Sequence, residues 1–444
     1  MSHERKMEMK KVAFITLGCK VNQYETNAMT QQFLQKDYEI VEHTEKADIY
    51  IVNTCTVTNM SDRKSRQMLR RVKELNHGAI VVACGCYVQV AREEIEKIEE
   101  IDLVLGNNEK KEIVEIIEKY IEKNEKHIEM EDVMHQKEYV ELGEITYTEK
   151  TRAVIKVQDG CDRFCSYCII PYARGRVRSR KPEKVIEEIE KIAQEGIQEV
   201  VITGIHIASY GKDFKKEYKL IDLLEEINQI KGIQRIRLGS IEPLLITEEF
   251  VTRLSKLEKI CHHFHLSLQS GCDETLKRMN RRYTTQEFRE IVERLRKNYE
   301  DVNLTTDIIV GFPLESQEEF EKTYQFLQEI KFYKMHIFKY SPRKGTKAAQ
   351  MEGQIDGNIK EERSQILIKL SNKNEKDYNE EYVGKEVEVL FEEEKNRYYQ
   401  GHTKNYILAL VKSKENLENK IIRAKCVKND IDHILLKMEN VTKM

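Results

Sequence analysis

Apolar residues fall along the chain in two alternating series and one short coda. From Lys11 to about Tyr120, apolar runs alternate with stretches of helical periodicity. The runs are KVAFIT (11–16), DIYIVN (48–53), AIVVAC (79–84) and IDLVL (101–105). Between the second and third lies NMSDRKSRQMLRRVKEL, with Ser61 as its expected cap. Strands that are apolar throughout and alternate with helices predict an open parallel sheet covered on both faces. Residues 121–150 are rich in Glu and Lys and read as a solvated connection with one edge strand near Val140. The second series has strands AVIKVQD (153–159), EVVITG (199–204), RIRLGS (235–240), HFHLSLQ (263–269), NLTTDIIVG (303–311) and KMHIFKY (334–340). Six β/α units in series predict a barrel or partial barrel, closed by right-handed crossovers. Beyond about Asn374, short alternating strands separated by Gly, Asn and Lys turns predict a small all-β barrel or sandwich.

The expected fold is therefore α/β and multidomain. Residues 1–125 form an open parallel α/β sheet, 126–150 a charged connection, 151–373 a (β/α)6 partial barrel and 374–444 a small β barrel. A chain of 444 residues exceeds one ordinary core, and 40% hydrophobic residues exclude a disordered chain. Lys+Arg 74 against Asp+Glu 77 leaves a net charge of -3, so any basic binding face is local. No run of about 18 apolar residues predicts a membrane span, and MSHERKMEMKK lacks the apolar stretch of a signal peptide. A cytoplasmic protein is expected, and there ten cysteines point to metal or redox chemistry rather than disulfides.

Three of the cysteines, Cys161, Cys165 and Cys168, sit in one short loop, GCDRFCSYC. A four-iron cluster held by three thiolates keeps one iron open, where a ligand can bind through its own nitrogen and oxygen atoms. The alternative, a zinc knuckle, needs a fourth ligand; the nearest downstream histidine is His206, and no second C-x2-C follows. The loop follows the first strand of the barrel series, at the face where barrel chemistry sits. A second set is dispersed: Cys19 in TLGCKVNQYETN, Cys55 in VNTCTVTN, and Cys84 and Cys86 in ACGCYVQ. In a parallel sheet these loops emerge at one edge. Cys84 ends an apolar run and should pack as a small hydrophobe. Cys86 lies past Gly85, so the preferred second set is Cys19, Cys55 and Cys86, with ordinary buried cysteines as the alternative. Cys261, Cys272 and Cys426 read as packing residues, and His263 with His265 as a hydrogen-bonded or solvated pair on one strand.

The C-x3-C-x2-C loop, with Tyr167 before its last cysteine, resembles the radical S-adenosylmethionine superfamily. The resemblance implies that the open iron chelates S-adenosylmethionine, whose one-electron cleavage yields a 5′-deoxyadenosyl radical, with Tyr167 beside the adenine. Gly204 in VITG, Ser240 and Glu242 in GSIEP, Gln269 in LSLQSG and Gly311 in DIIVGFP then become further cofactor contacts at strand ends. GCKVNQYET, NTCTVTN, GCYVQ, CDRFCSYCIIPYARGRVRSR, LSLQSGCDETLKRMNRRYT and FKYSPRKGTKAA together resemble the methylthiotransferases, from about Lys11 to the C-terminus. The amino-terminal phrases look most like the branch acting on N6-threonylcarbamoyladenosine beside the anticodon of tRNA. The isopentenyladenosine-tRNA and ribosomal-protein branches differ around the first cysteine and remain the rival substrates. A non-catalytic iron–sulfur RNA-binding protein is a rival of another class. The resemblance implies two 4Fe-4S clusters, two S-adenosylmethionine molecules, methylthiolation at C2 of the base, tRNA as partner and an electron donor such as flavodoxin or ferredoxin. It also implies that the C-terminal strands form a TRAM-like RNA-binding barrel. Leu314 stands where the family usually has Gly, which tolerates φ > 0 as Leu does not.

Arg174, Arg176, Arg178 and Arg180 alternate after the cysteine loop and would share one side of an extended segment. They are candidates for phosphate contact, for a solvated edge, or for a counter-charge to the cofactor carboxylate. Arg281, Arg282 and Arg343 are further candidates. Tyr406, with Tyr398, Tyr399 and Lys404, suits either RNA stacking or a small β core.

Overall fold

The computed structural model describes residues 10–123, 127–143, 145, 151–430 and 432–438. The chain divides into two compact units. One comprises residues 1–149, 158–164 and 168–180; the other comprises 150–157, 165–167 and 181–444.

The first unit is built on a six-stranded parallel sheet of order β2-β1-β3-β4-β5-β6. Its strands are β1 (Lys11–Thr16), β2 (Glu39–Val41), β3 (Ile49–Thr54), β4 (Ile80–Gly85), β5 (Leu103–Leu105) and β6 (His127–Glu129). Successive residues of a strand point to opposite faces, and here both faces are covered. Ala13, Ile15, Tyr50, Val52, Val81 and Ala83 pack with Leu69 and Val72 of the helix Asn59–Leu75. Val12, Ile49, Ile51, Val82 and Cys84 pack the other way, with Met29 and Phe33 of the helix Lys20–Leu34 and Ile113 and Ile117 of the helix Ile113–Lys123.

Three details differ from expectation. The cap of Asn59–Leu75 is Thr58, whose hydroxyl accepts from the Ser61 N–H at 3.2 Å; Ser61 is the capped residue. The strands β2 and β6, three residues each, are too short to leave a periodicity. No strand lies near Val140 among the described residues; the sheet edge is β6. The rest of that connection, 124–126, 144 and 146–150, lies outside the described residues.

The second series yields six strands in two sheets: β7 (Arg152–Asp159), β9 (Glu199–Gly204) and β10 (Arg235–Leu238) in one, β11 (His263–Gln269), β12 (Asn303–Val310) and β13 (Lys334–Lys339) in the other. Single parallel bridges, Ile236 to Ile260 and Ile241 to Leu266, continue from the first sheet towards the second, giving the partial barrel. The last two residues of β7, Gln158 and Asp159, pair antiparallel with β8 (Arg178–Ser179). Helices including Pro182–Gln194, Leu220–Gln229, Thr285–Asn298 and Gln317–Ile330 bury their apolar faces against the strands. Reciprocal capping boxes start two of them, Thr284 with Glu287 and Ser316 with Glu319. Leu314 does adopt a left-handed conformation, φ +65°, with its N–H donating to the Gly353 carbonyl at 2.9 Å. Its side chain is largely exposed, so nothing clashes with it.

The helix Gly357–Glu380 runs straight through the boundary expected at Asn374. Its polar second half resembles a linker in composition, yet Ser371, Glu375 and Asn379 are buried along it. The small barrel starts only at β14 (Glu386–Lys395) and closes in the order β14-β15-β16-β18-β17, with β15 (Tyr398–Thr403), β16 (Leu408–Val411), β17 (Ile421–Asn429) and β18 (Ile434–Lys437). It docks on charged residues of the central strands. Arg235 donates to the His402 carbonyl at 2.9 Å and to Glu388 at 3.0 Å, and Arg152 donates to Glu392 at 2.9 Å. Among the described residues no helix is long and apolar enough to cross a membrane.

Candidate metal centres

Cys19, Cys55 and Cys86 follow β1, β3 and β4, three neighbouring strands of the first sheet, at their carboxyl ends. Cys19 is the residue before the helix Lys20–Leu34, and Cys86 opens the helix Cys86–Val90. The loops meet: a Cβ on Gly18 would lie 2.8 Å from both Cβ and Sγ of Cys55. All three thiols feel one another electrostatically, Cys55 with Cys19 and Cys86 with both. Burial pushes the Cys86 thiol up to about 11, opposed by the Arg174 guanidinium, and raises Cys55 as well. Cys84 is also buried, but it packs among Val12, Met29 and Val82 on the face of the sheet covered by the helix Lys20–Leu34, and its electrostatic neighbours are Lys110, Glu25, Arg174 and Cys86. Gly85 separates the two cysteines with φ +98°; a Cβ there would come within 2.6 Å of the Thr54 carbonyl.

Beneath these thiols lies a buried polar network. Arg174 has no exposed surface. Its Nε donates to Cys86 Sγ at 3.0 Å, its Nη2 donates to Asn22 Oδ1 at 2.7 Å, and it pairs with Glu25. Lys110 Nζ donates to Glu25 at 2.5 Å, Asn53 at 3.0 Å and Asn107 at 3.1 Å. Buried charges of this kind require partners, and each of these has them.

This placement corrects the reading of the arginine run. Arg174 ends the short helix Ile170–Arg174, Gly175 turns the chain, and only Arg178–Ser179 is extended, so a period of two does not apply. Arg178 is buried, donating to the Arg174 carbonyl at 2.8 Å, and the buried Arg180 pairs with Glu141 at 2.9 Å. A guanidinium held inside the fold cannot meet a phosphate from solution. Arg176 alone is exposed, 3.3 Å from Asp162 and over the Phe164 ring, with the exposed Tyr172 packed edge-on to the same ring. Tyr406 is corrected too. It stacks on His402 and on His263, ring centroids 4.4 and 4.7 Å away, with Arg237 at 4.6 Å. Its ring faces are already covered, so no base can stack on it. Among the further candidates Arg343 is buried, while Arg282 is exposed.

Cys161, Cys165 and Cys168 are partly exposed in the loop after β7. Within the first unit, Cys161 donates its N–H to the Gly175 carbonyl at 3.0 Å and its Sγ accepts from the Arg163 N–H at 3.4 Å. Within the second, Cys165 Sγ accepts from Arg281 Nη1 at 3.4 Å. Arg281 is nearly buried and also donates to Glu242 at 2.7 Å and to the Ser267 carbonyl at 2.9 Å. Tyr167 packs beside Met279, Phe312, Tyr340 and Ala348. Gly204 and Gln269 end β9 and β11, Gly311 follows β12, and Ser240 and Glu242 follow β10. All five stand at the carboxyl ends of their strands.

The donor chemistry fits two four-iron clusters: three soft thiols in each set, none of them in a disulfide. Among the described residues the sole set of three metal-binding atoms all within 4.8 Å is His265, Asp307 and His336. Sequence reasoning named Arg174 and Arg281 as candidate phosphate or cofactor contacts and not as cysteine partners, and it missed Glu25 and Asn22. The signal available was a pair of polar residues, Asn22 and Glu25, one and two turns after Cys19.

The family model for the radical SAM superfamily matches residues 155–327, and that for uncharacterized protein family UPF0004 matches residues 11–106. A threonylcarbamoyladenosine tRNA methylthiotransferase of Bacillus subtilis is 41% identical, over 95% of this chain and 94% of its own length. One of Aquifex aeolicus is 44% identical, over 89% and 95%. A tRNA-2-methylthio-N(6)-dimethylallyladenosine synthase of Caldicellulosiruptor saccharolyticus is 35% identical, over 93% and 88%. Among solved structures, the radical S-adenosylmethionine methyltransferase TsrM of Kitasatospora setae shares the fold, with a TM-score of 0.54 at 15% identity over 74% of this chain and 73% of that one.

Proposed function

The chain belongs to the radical S-adenosylmethionine methylthiotransferase family, and we propose that it adds a methylthio group to C2 of N6-threonylcarbamoyladenosine beside the anticodon of tRNA. The observation that carries the substrate is the 41–44% identity, over nearly the whole chain, to proteins named for that nucleoside. The proteins named for dimethylallyladenosine stand at 35–37%.

When bound, two 4Fe-4S clusters and S-adenosylmethionine supply a radical able to remove an unactivated hydrogen and the sulfur and methyl that replace it. In this reading Cys161, Cys165 and Cys168 hold one cluster, and Cys19, Cys55 and Cys86 the other. Arg174 and Arg281 each place a positive charge against one thiol of a set, at 3.0 and 3.4 Å, and at Cys86 that charge opposes the rise caused by burial. Tyr167 and the strand-end residues Gly204, Ser240, Glu242, Gln269 and Gly311 line the side from which S-adenosylmethionine approaches. Arg281 holds Glu242 in place. Arg176 and Tyr172 offer an exposed cation and an exposed ring to RNA, and the small C-terminal barrel is a second RNA-binding element. The electron donor is of the flavodoxin or ferredoxin kind, in the cytoplasm.

Mass analysis of tRNA nucleosides from cells lacking this protein tests the assignment. N6-threonylcarbamoyladenosine should accumulate as its 2-methylthio form disappears. Loss of the methylthiolated isopentenyl nucleoside instead would move the protein to the other branch, and unchanged tRNA would refute a tRNA substrate.

A further inference from the structure

We propose that His265, Asp307 and His336 form a binding site for one divalent transition-metal ion of the zinc class, distinct from both cysteine sets. The three residues come from adjacent parallel strands, β11, β12 and β13. Asp307 pairs directly with His336, and His265 pairs with Thr305, two residues before Asp307. Strand alternation then puts all three on one face. The residues between them, Leu266 and Thr306, belong to the opposite face and are buried. The metal-binding atoms of the three all lie within 4.8 Å of one another. The side chains remain accessible: His265 and Asp307 keep 13% and 29% of their surface, and His336 is exposed.

The donor set selects the ligand. Asp307 repels an anion, and two imidazoles disfavour calcium and magnesium, which take oxygen ligands. Two histidines and one carboxylate are the ligands of zinc and of non-haem iron, with a position left open on the solvent side. A ligating imidazole uses one ring nitrogen and donates through the other, and that partner fixes the ring. His265 has this arrangement. Its Nδ1 is 3.0 Å from Thr305 Oγ1, and its Nε2 is directed to Asp307 Oδ2 at 3.2 Å. Thr305 Oγ1 is itself held by His263 Nε2 at 2.9 Å. The neighbouring cation Lys334 is neutralised by Glu375 at 2.8 Å. A plain ion pair between His265 and Asp307 explains neither the approach of His336 nor the relay through Thr305 to His263.

The site stands independently of the methylthiolation reading, and so does its test. Full-length protein with both clusters reconstituted anaerobically is dialysed against micromolar zinc, and bound zinc and iron are counted by elemental analysis. Wild type should hold about one zinc per chain more than Asp307→Asn or the exposed-site variant His336→Gln, with equal iron in all three. Equal zinc in wild type and both variants overturns the proposal. X-ray absorption at the zinc edge of the wild-type protein decides the matter without any variant. Nitrogen and oxygen neighbours alone are expected, and a sulfur shell as the only zinc environment overturns the site.

Discussion

Arg174 carries more contacts of consequence than any other arginine in the run that follows the Cys161–Cys168 loop. It is fully buried, pairs with Glu25 and reaches Cys86. Arg174→Met would leave Glu25 buried with Lys110 as its remaining cation. Breaking one side of a buried ion network costs about 3–5 kcal/mol, and because Lys110 stays, about 3 kcal/mol is expected from urea unfolding. Glu25→Gln in the same chain should restore part of the loss by removing the orphaned carboxylate. A cost under ~1 kcal/mol for Arg174→Met would contradict the network. The four arginines are indistinguishable in sequence because their environments are set by Pro171, which starts a helical turn, and Gly175, which ends it. Cys84 and Cys86 differ in place, since Cys84 packs in a face of the sheet while Cys86, past Gly85, opens a short helix; that Cys86 and not Cys84 is a ligand belongs to the proposal.

Among the elements, the long strands were legible because both their faces are covered and their sequences are apolar throughout. The short strands β2 and β6 were not, and neither was the helix Gly357–Glu380, whose buried polar residues imitate a linker. Between β15 and β16, the sequence leaves Tyr406 open between RNA stacking and a β core, because its cover comes from His263 on a strand far away in sequence. That docking carries a pH dependence. Burial holds His402 below the usual histidine range, against the pull of Glu392 at 2.5 Å, with Arg152 and Arg237 adding to the lowering. Its folded pKa lies below the unfolded value of about 6.5, so its contribution is whole above that pH. As pH falls further, the unfolded chain takes up the proton first and stability declines. Thermal unfolding followed from pH 7 to 5 should therefore fall less steeply for His402→Gln than for wild type. Parallel slopes would show that His402 titrates alike in both states.

At the scale of the whole molecule, the proposal divides the chemistry between a dispersed and a compact set of cysteines, each with one thiol facing an arginine. Both sets of cysteines could be picked out in sequence, since one is a spaced motif and the other follows three strands of one parallel sheet; that they hold clusters is the proposal. The His265, Asp307 and His336 group could not, because strand register alone brings its members together. The central claim is that two separate clusters are held by the six named cysteines. Iron content, 5′-deoxyadenosine and methylthiolated nucleoside, measured together on anaerobically reconstituted wild type, Cys84→Ala and Cys86→Ala, test it most directly. Wild type and Cys84→Ala should hold about eight irons and yield both products. Cys86→Ala should fall to about four irons, keep 5′-deoxyadenosine formation and lose the methylthiolated nucleoside. A wild type with about four irons, or a Cys84→Ala that loses a cluster while Cys86→Ala keeps both, would contradict the account.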